Sequence, residues 1–244
     1  GRYIDDVKTV QPRGPNDLAG WSMGGVIAAE MARQLLESGE TVGRLLLLDA
    51  PAPLDHSMPD ALACIKWFFR DLQGTDVLWM DDYLQAFNQQ NKDIQWTAVL
   101  DHVLEHGLVP EGTSREDLDS VFNMFTMNLR ALRRFQPKTL RGVRHILIAR
   151  AEQRPIEELL THAAAGDPAW GWRDWMQQSI EVCSIPGDHY SIFAPANLPD
   201  LRQRLLAFAE DEYMKRWMAE IYEDEDPDAV RQDGLSVFRH VLAG

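Results

Sequence analysis

The sequence predicts a doubly wound α/β core, a mostly parallel sheet with helices on both faces, interrupted by a large helical insertion. Residues 18–49 read as strand, helix, strand; the stretch from Pro51 to Pro137 reads as helices only; strands then return at Val143–Ala149 and Ile180–Ile185. Parallel neighbours need a crossover of a dozen or more residues, usually a helix, and this alternation supplies it. At 244 residues, and with domains averaging about 150 residues, the chain holds one large domain with a substantial insertion.

Taken in order, Tyr3, Ile4, Val7 and Val10 fall at helical spacing, and Pro12-Arg13-Gly14-Pro15 closes that helix with a turn. Leu18 to Trp21 is a short apolar run. Ser22-Met23-Gly24-Gly25 then leads into Val26, Ile27, Ala28, Met31, Leu35 and Leu36, a helical pattern that stops at Gly39. Val42 and Leu45 to Leu48 form an apolar run too short for a buried helix, typical of a strand covered on both faces, and it ends at Asp49. Helices are expected near 60–72, 79–89, 93–106 and 115–134, punctuated by Gly74, Gly107 and Gly112. Between the last two strands lies a polar stretch rich in tryptophan (Trp170, Trp172, Trp175), and a final helix from about Asn197 places Leu198, Leu201, Leu205 and Phe208 on one face. Residues 1–53 and 138–209 are thus read as the core, 54–137 as a helical lid and 210–244 as an acidic C-terminal extension.

Composition narrows the function. Acidic side chains outnumber basic ones by 38 to 24, a net charge of -14 that would repel a phosphate backbone, so nucleic acid is not the expected partner. The longest apolar run is about half a dozen residues against the roughly 20 that span a bilayer, so no membrane partner is expected. Cys64 and Cys183 stand far apart and suggest neither a disulfide framework nor a metal site, which fits a cytoplasmic protein.

The chemistry centres on Gly20-Trp21-Ser22-Met23-Gly24, a G-x-S-x-G pattern in which small residues two positions either side of the serine relieve crowding where a strand bends into a helix. The pattern alone is weak, but its strand-to-helix context is the one it requires. A serine hydroxyl is a poor nucleophile without a base to take its proton and a carboxylate to orient that base. His189 follows the last predicted strand, and Asp49 closes the strand next after the serine, both at the carboxyl edge where open α/β sheets gather ligands. The chain order Ser, Asp, His is that of α/β hydrolases.

The run from Gly14 to Pro53, GPNDLAGWSMGGVIAAEMARQLLESGETVGRLLLLDAPAP, resembles the type I thioesterase domains that end nonribosomal peptide and polyketide synthases, and GDHYSIF around His189 resembles their histidine segment. The likeness covers about residues 1–209. It implies an α/β-hydrolase fold, Ser22 as nucleophile, His189 as general base then acid, Asp49 as the orienting acid and the Met23 backbone N–H as one oxyanion donor. It also implies an acyl or peptidyl chain delivered on the phosphopantetheine arm of a carrier protein within a multidomain synthase, held as a seryl ester, and released by hydrolysis or macrocyclisation. No metal and no diffusible cofactor enter; individual substrate-binding residues are not identified, the lid, residues 54–137, being the region that could supply them. The family pattern places further strands and the loop bearing the second oxyanion donor ahead of Gly1, so the expectation is a partly represented domain whose second donor lies outside this chain.

Competing readings attach to the same residues. The alternatives, ranked below the catalytic reading once the three residues are taken together, are Ser22 as a helix N-cap, Asp49 as a turn cap, and His189 as a packing histidine satisfied locally by Asp188 and Tyr190. Glu152 rivals Asp49 because it follows the next strand, where many α/β hydrolases keep the acid. His102-Val103-Leu104-Glu105-His106 matches an inverted zinc-protease helix, but Gly107 ends it at once and no third ligand is marked, so solvated lid histidines are expected. Trp67, Phe68, Phe69, Trp79, Met80, Trp96, Met124, Phe125 and Met127 read chiefly as helix core, with some available to line an apolar channel over the serine. The rival functions are a free-standing serine carboxylesterase and a non-catalytic remnant or binding module.

Overall fold

The structure is a computed structural model that describes residues 2–12, 14–53, 58–73, 79–80, 83, 96–153 and 167–209. Its sheet has four parallel strands in sequence order: β1 (Asn16–Trp21), β2 (Val42–Leu48), β3 (His145–Ala151) and β4 (Glu181–Ile185). Trp21 lies opposite Leu48, Leu48 opposite Ala149, and Ala151 opposite Ile185, so the carboxyl ends of all four strands stand side by side. β2 is buried almost throughout, as its unbroken VGRLLLL run demands, whereas β1 alternates and pairs with β2 alone among the described residues.

Helix α1 (Arg2–Val10) precedes β1, and α2 (Met23–Glu37) runs from β1 back to the start of β2. Ala28, Ala32 and Leu35 share the buried stripe of α2 and join Leu45, Leu47, Ile146 and Ile148 in one core. The tryptophan-rich stretch is less polar than its sequence suggested. Trp170 and Trp172 are buried, Trp172 belongs to the sheet core, and its indole N–H donates to the Ala50 carbonyl at 2.7 Å. Short-range periodicity missed this because the segment is a series of turns, with Trp170 at φ 47° and Gly171 at φ 80°.

Between β2 and β3 stand α3 (Ala61–Gln73), α4 (Trp96–Glu105) and α5 (Arg115–Arg134). They carry a second core of their own, with Phe68 edge-on to Phe69, Trp96, Phe122 and Phe125, and Trp96 stacked on Phe122 at 3.9 Å. Ser114 and Asp117 form a reciprocal capping box that fixes where α5 begins. Of the helix expected over 79–89, residues 79, 80 and 83 are helical and the remainder lies outside the described residues, as does the extension 210–244. The chain divides into compact units Gly1–Ala194 and Pro195–Gly244; in the second, α6 (Leu198–Ala209) buries Leu201, Leu205 and Phe208 at helical spacing. Among the described residues no helix is long and apolar enough to cross a membrane.

Candidate active site

Ser22 occupies the bend between β1 and α2 at φ 53° and ψ -128°, a region that side-chain-bearing residues rarely adopt and that costs on the order of 1–3 kcal/mol. The bend is pinned by the Ser22 N–H donating to the Leu48 carbonyl and by the Gly25 N–H donating to the Ser22 carbonyl, each at 3.0 Å. The hydroxyl makes no capping bond to the helix it precedes, so the N-cap reading of Ser22 finds no support in its geometry. Of the two motif glycines only Gly20 is crowded, and Gly25, outside the motif, takes the place of Gly24. A Cβ on Gly20 would stand 2.1 Å from the Gly24 carbonyl oxygen, and one on Gly25 would stand 2.4 Å from Ala50 Cβ, whereas one on Gly24 would meet nothing within 4 Å.

Asp49 follows β2 at φ 44° and is 1% exposed. Both carboxylate oxygens are occupied: Oδ1 accepts the Ala151 N–H at 2.7 Å and Oδ2 pairs with His189 Nδ1 at 2.7 Å. A buried charge is tolerated when its lone pairs are satisfied in this way. Nδ1 is thus engaged by Asp49, and His189 also lines the cavity described below. Glu152, by contrast, is exposed beyond β3, where its N–H donates to the Ile185 carbonyl at 3.0 Å.

His189 is held by its own loop. The Asp188 carboxylate accepts the N–H groups of Tyr190 and Ser191 and the Ser191 hydroxyl at 2.7–3.0 Å, so it braces the turn and is spent there. Burial raises the Asp188 pKa, but the bonds from Ser191 and Tyr190 outweigh it and hold the carboxyl below its ordinary range. Trp21, the residue before the serine, stacks on the imidazole at 4.7 Å and 27°, while its indole N–H donates to the His189 carbonyl at 3.2 Å. Sequence reasoning passed over Trp21 even though it sits inside the motif. Tyr190 reaches α3, its hydroxyl donating to Asp71 Oδ1 at 3.3 Å. Burial raises the pKa of both, that of Asp71 against the Tyr190 bond and that of Tyr190 with help from the Asp71 charge.

Ser22 and His189 line one cavity of about 220 Å³, together with Met23, Pro51, Trp67 and Leu129. Of the lid aromatics and methionines, Trp67 and Phe125 reach this cavity, Phe68, Phe69 and Met80 are buried in the lid core, and Met124 and Met127 are exposed. His102 and His106 stand with ring centres 4.2 Å apart, His102 against Trp79 and Tyr83, and burial followed by the His106 charge lowers the His102 pKa. Among the described residues no three His, Cys, Asp or Glu side chains converge as a metal site would require.

Comparison with known proteins points to one family. The model of the family described as "Thioesterase domain" matches residues 1–208. The non-reducing polyketide synthase PKS16 of Cladonia grayi is 51% identical over 51 residues, 21% of this chain and 2% of that protein. The dimodular nonribosomal peptide synthase of Bacillus subtilis (strain 168) is 27% identical over 220 residues, 86% of this chain and 8% of that one. The chain therefore spans only a few per cent of the length of the first relatives it matches. Among solved structures, a four-domain nonribosomal peptide synthetase bound to AMP and glycine superposes with a TM-score of 0.68 at 25% identity, covering 86% of this chain and 15% of that one. The NocB thioesterase domain, in covalent complex with a fluorophosphonate nocardicin G analog, shares the fold with a TM-score of 0.52 at 24% identity, over 84% of this chain and 72% of its own.

Proposed function

The chain belongs to the thioesterase domain family, and from that premise we propose that it releases an acyl or peptidyl chain from a carrier-protein phosphopantetheine thioester through an ester on Ser22. His189 Nε2 takes the hydroxyl proton as Oγ attacks the thioester carbonyl, Asp49 steadies the imidazolium that forms, and the Met23 N–H at the start of α2 faces the developing oxyanion. The tetrahedral species collapses, the pantetheine thiolate leaves, and the imidazolium returns the proton to it. The same imidazole then deprotonates either water or a nucleophile of the acyl chain itself, which attacks the ester carbonyl; as the bond to Ser22 Oγ breaks, the imidazolium returns its proton to Oγ and the chain leaves as carboxylic acid or ring. No step requires a metal or a diffusible cofactor.

The observation that carries the reading is the buried 2.7 Å contact between Asp49 and His189, joined with the cavity that His189 shares with Ser22. The partner is the carrier domain of a multidomain synthase, a setting consistent with the relatives matched. A serine-directed fluorophosphonate should label Ser22, and Ser22→Ala should lose both label and release of an acyl-pantetheine thioester while keeping its fold. Asp49→Asn should slow turnover on the order of 10⁴-fold, as the equivalent change does in a serine protease triad. Glu152→Gln should leave turnover unchanged. An unlabelled Ser22 would point to a binding module, and the opposite ranking of the two carboxylate variants would move the acid to Glu152.

A further inference from the structure

The cavity beside Ser22 has a larger neighbour. A second cavity of about 320 Å³ lies among α1, α2 and α5, with Ile4, Ile27, Met31, Ala131 and Phe135 in its walls. Four residues line both cavities: Met23 and Val26 on α2, Asn128 and Leu132 on α5. Spaced three and four residues apart, each pair occupies one face of its helix, so the two cavities adjoin along the same stretch of α2 and α5.

From this adjacency we infer that the second cavity is a distal acyl subsite, taking the far end of an extended, mostly apolar chain whose carbonyl is held at Ser22. The inference rests on the reading of Ser22 as the acylated residue. Size supports it: at about 220 Å³ the first cavity falls short of the roughly 300–1,000 Å³ of ordinary small-molecule sites, so a chain of any length must continue past it. Direction supports it as well. α2 begins beside Ser22, and the second cavity follows it as far as Gln34, about 16 Å along the helix axis at 1.5 Å per residue. The chemistry fits an uncharged chain, because the one carboxylate in the walls, Glu30, is already bound by Arg33 and Gln34, and the Arg33 bond holds its pKa down.

Filling the second cavity tests the inference. Ala131→Trp, at an exposed position of α5, and Ile27→Trp, on α2, each place an indole there. With acetyl and dodecanoyl thioesters of N-acetylcysteamine, the ratio of kcat/KM for dodecanoyl over acetyl should fall at least about tenfold in both variants, the effect of losing the burial of two or so methylene groups. Acetyl turnover in the same preparations reports that the variant is folded. A ratio unchanged in both variants while acetyl turnover persists overturns the subsite and leaves the thioesterase reading standing. Failure of the unsubstituted chain to turn over either thioester, with no fluorophosphonate adduct at Ser22, overturns both.

Discussion

Trp21 acts twice on His189, stacking against its ring and holding its backbone carbonyl. It touches no reacting atom in the proposed steps, so it is a positioning residue, and its loss should appear in kcat with little change in KM. Trp21→Phe keeps an aromatic face and gives up one neutral hydrogen bond of about 1 kcal/mol, which corresponds to a drop of roughly fivefold. Trp21→Leu removes both constraints and should fall further. Equal losses in the two variants, or an effect confined to KM, would contradict the role. The meeting of Asp49 with His189 could be anticipated because both stand just past the ends of apolar strand patterns, at one edge of the sheet. The partnership of Trp21 with His189 could not, since it joins residues 168 positions apart and leaves no local signature.

The element that matters most is the bend from β1 into α2. Its tolerance to substitution should follow the space around each glycine. Gly20→Ala and Gly25→Ala should destabilise the protein, because the added methyl meets backbone in one case and the methyl of Ala50 in the other. Gly24→Ala meets nothing, and by stiffening a helical position it should be neutral or stabilising by about 0.5–1 kcal/mol. Urea denaturation of the three variants decides the matter; Gly24→Ala as damaging as Gly20→Ala would refute the ranking. The strands and long helices were readable in the sequence to within a few residues because apolar runs and 3.6-residue periodicity directly reflect burial. The buried turns at 169–172 were not, since a tertiary contact such as Trp172 to Ala50 overrides a polar neighbourhood.

At the scale of the whole molecule, the two hydrophobic cores divide the work. One lies against the sheet and fixes the strand ends from which Ser22, Asp49 and the His189 loop project; the other belongs to α3, α4 and α5. Phe68, at the centre of the second, meets four other aromatic rings. Phe68→Ala should cost about 3–5 kcal/mol locally. Hydrogen exchange should then show faster exchange in α3, α4 and α5 while β2 and β3 stay protected; a matching loss of protection in β2 and β3 would mean the two cores unfold as one. The alternation of strands with helices made the overall class legible. What sequence could not convey is how the covering helices meet the sheet, because that depends on side-chain shape across long separations. One such meeting is the bond from Tyr190 to Asp71. Since Tyr190 directly follows His189, a single phenol fastens α3 to the loop that carries the imidazole.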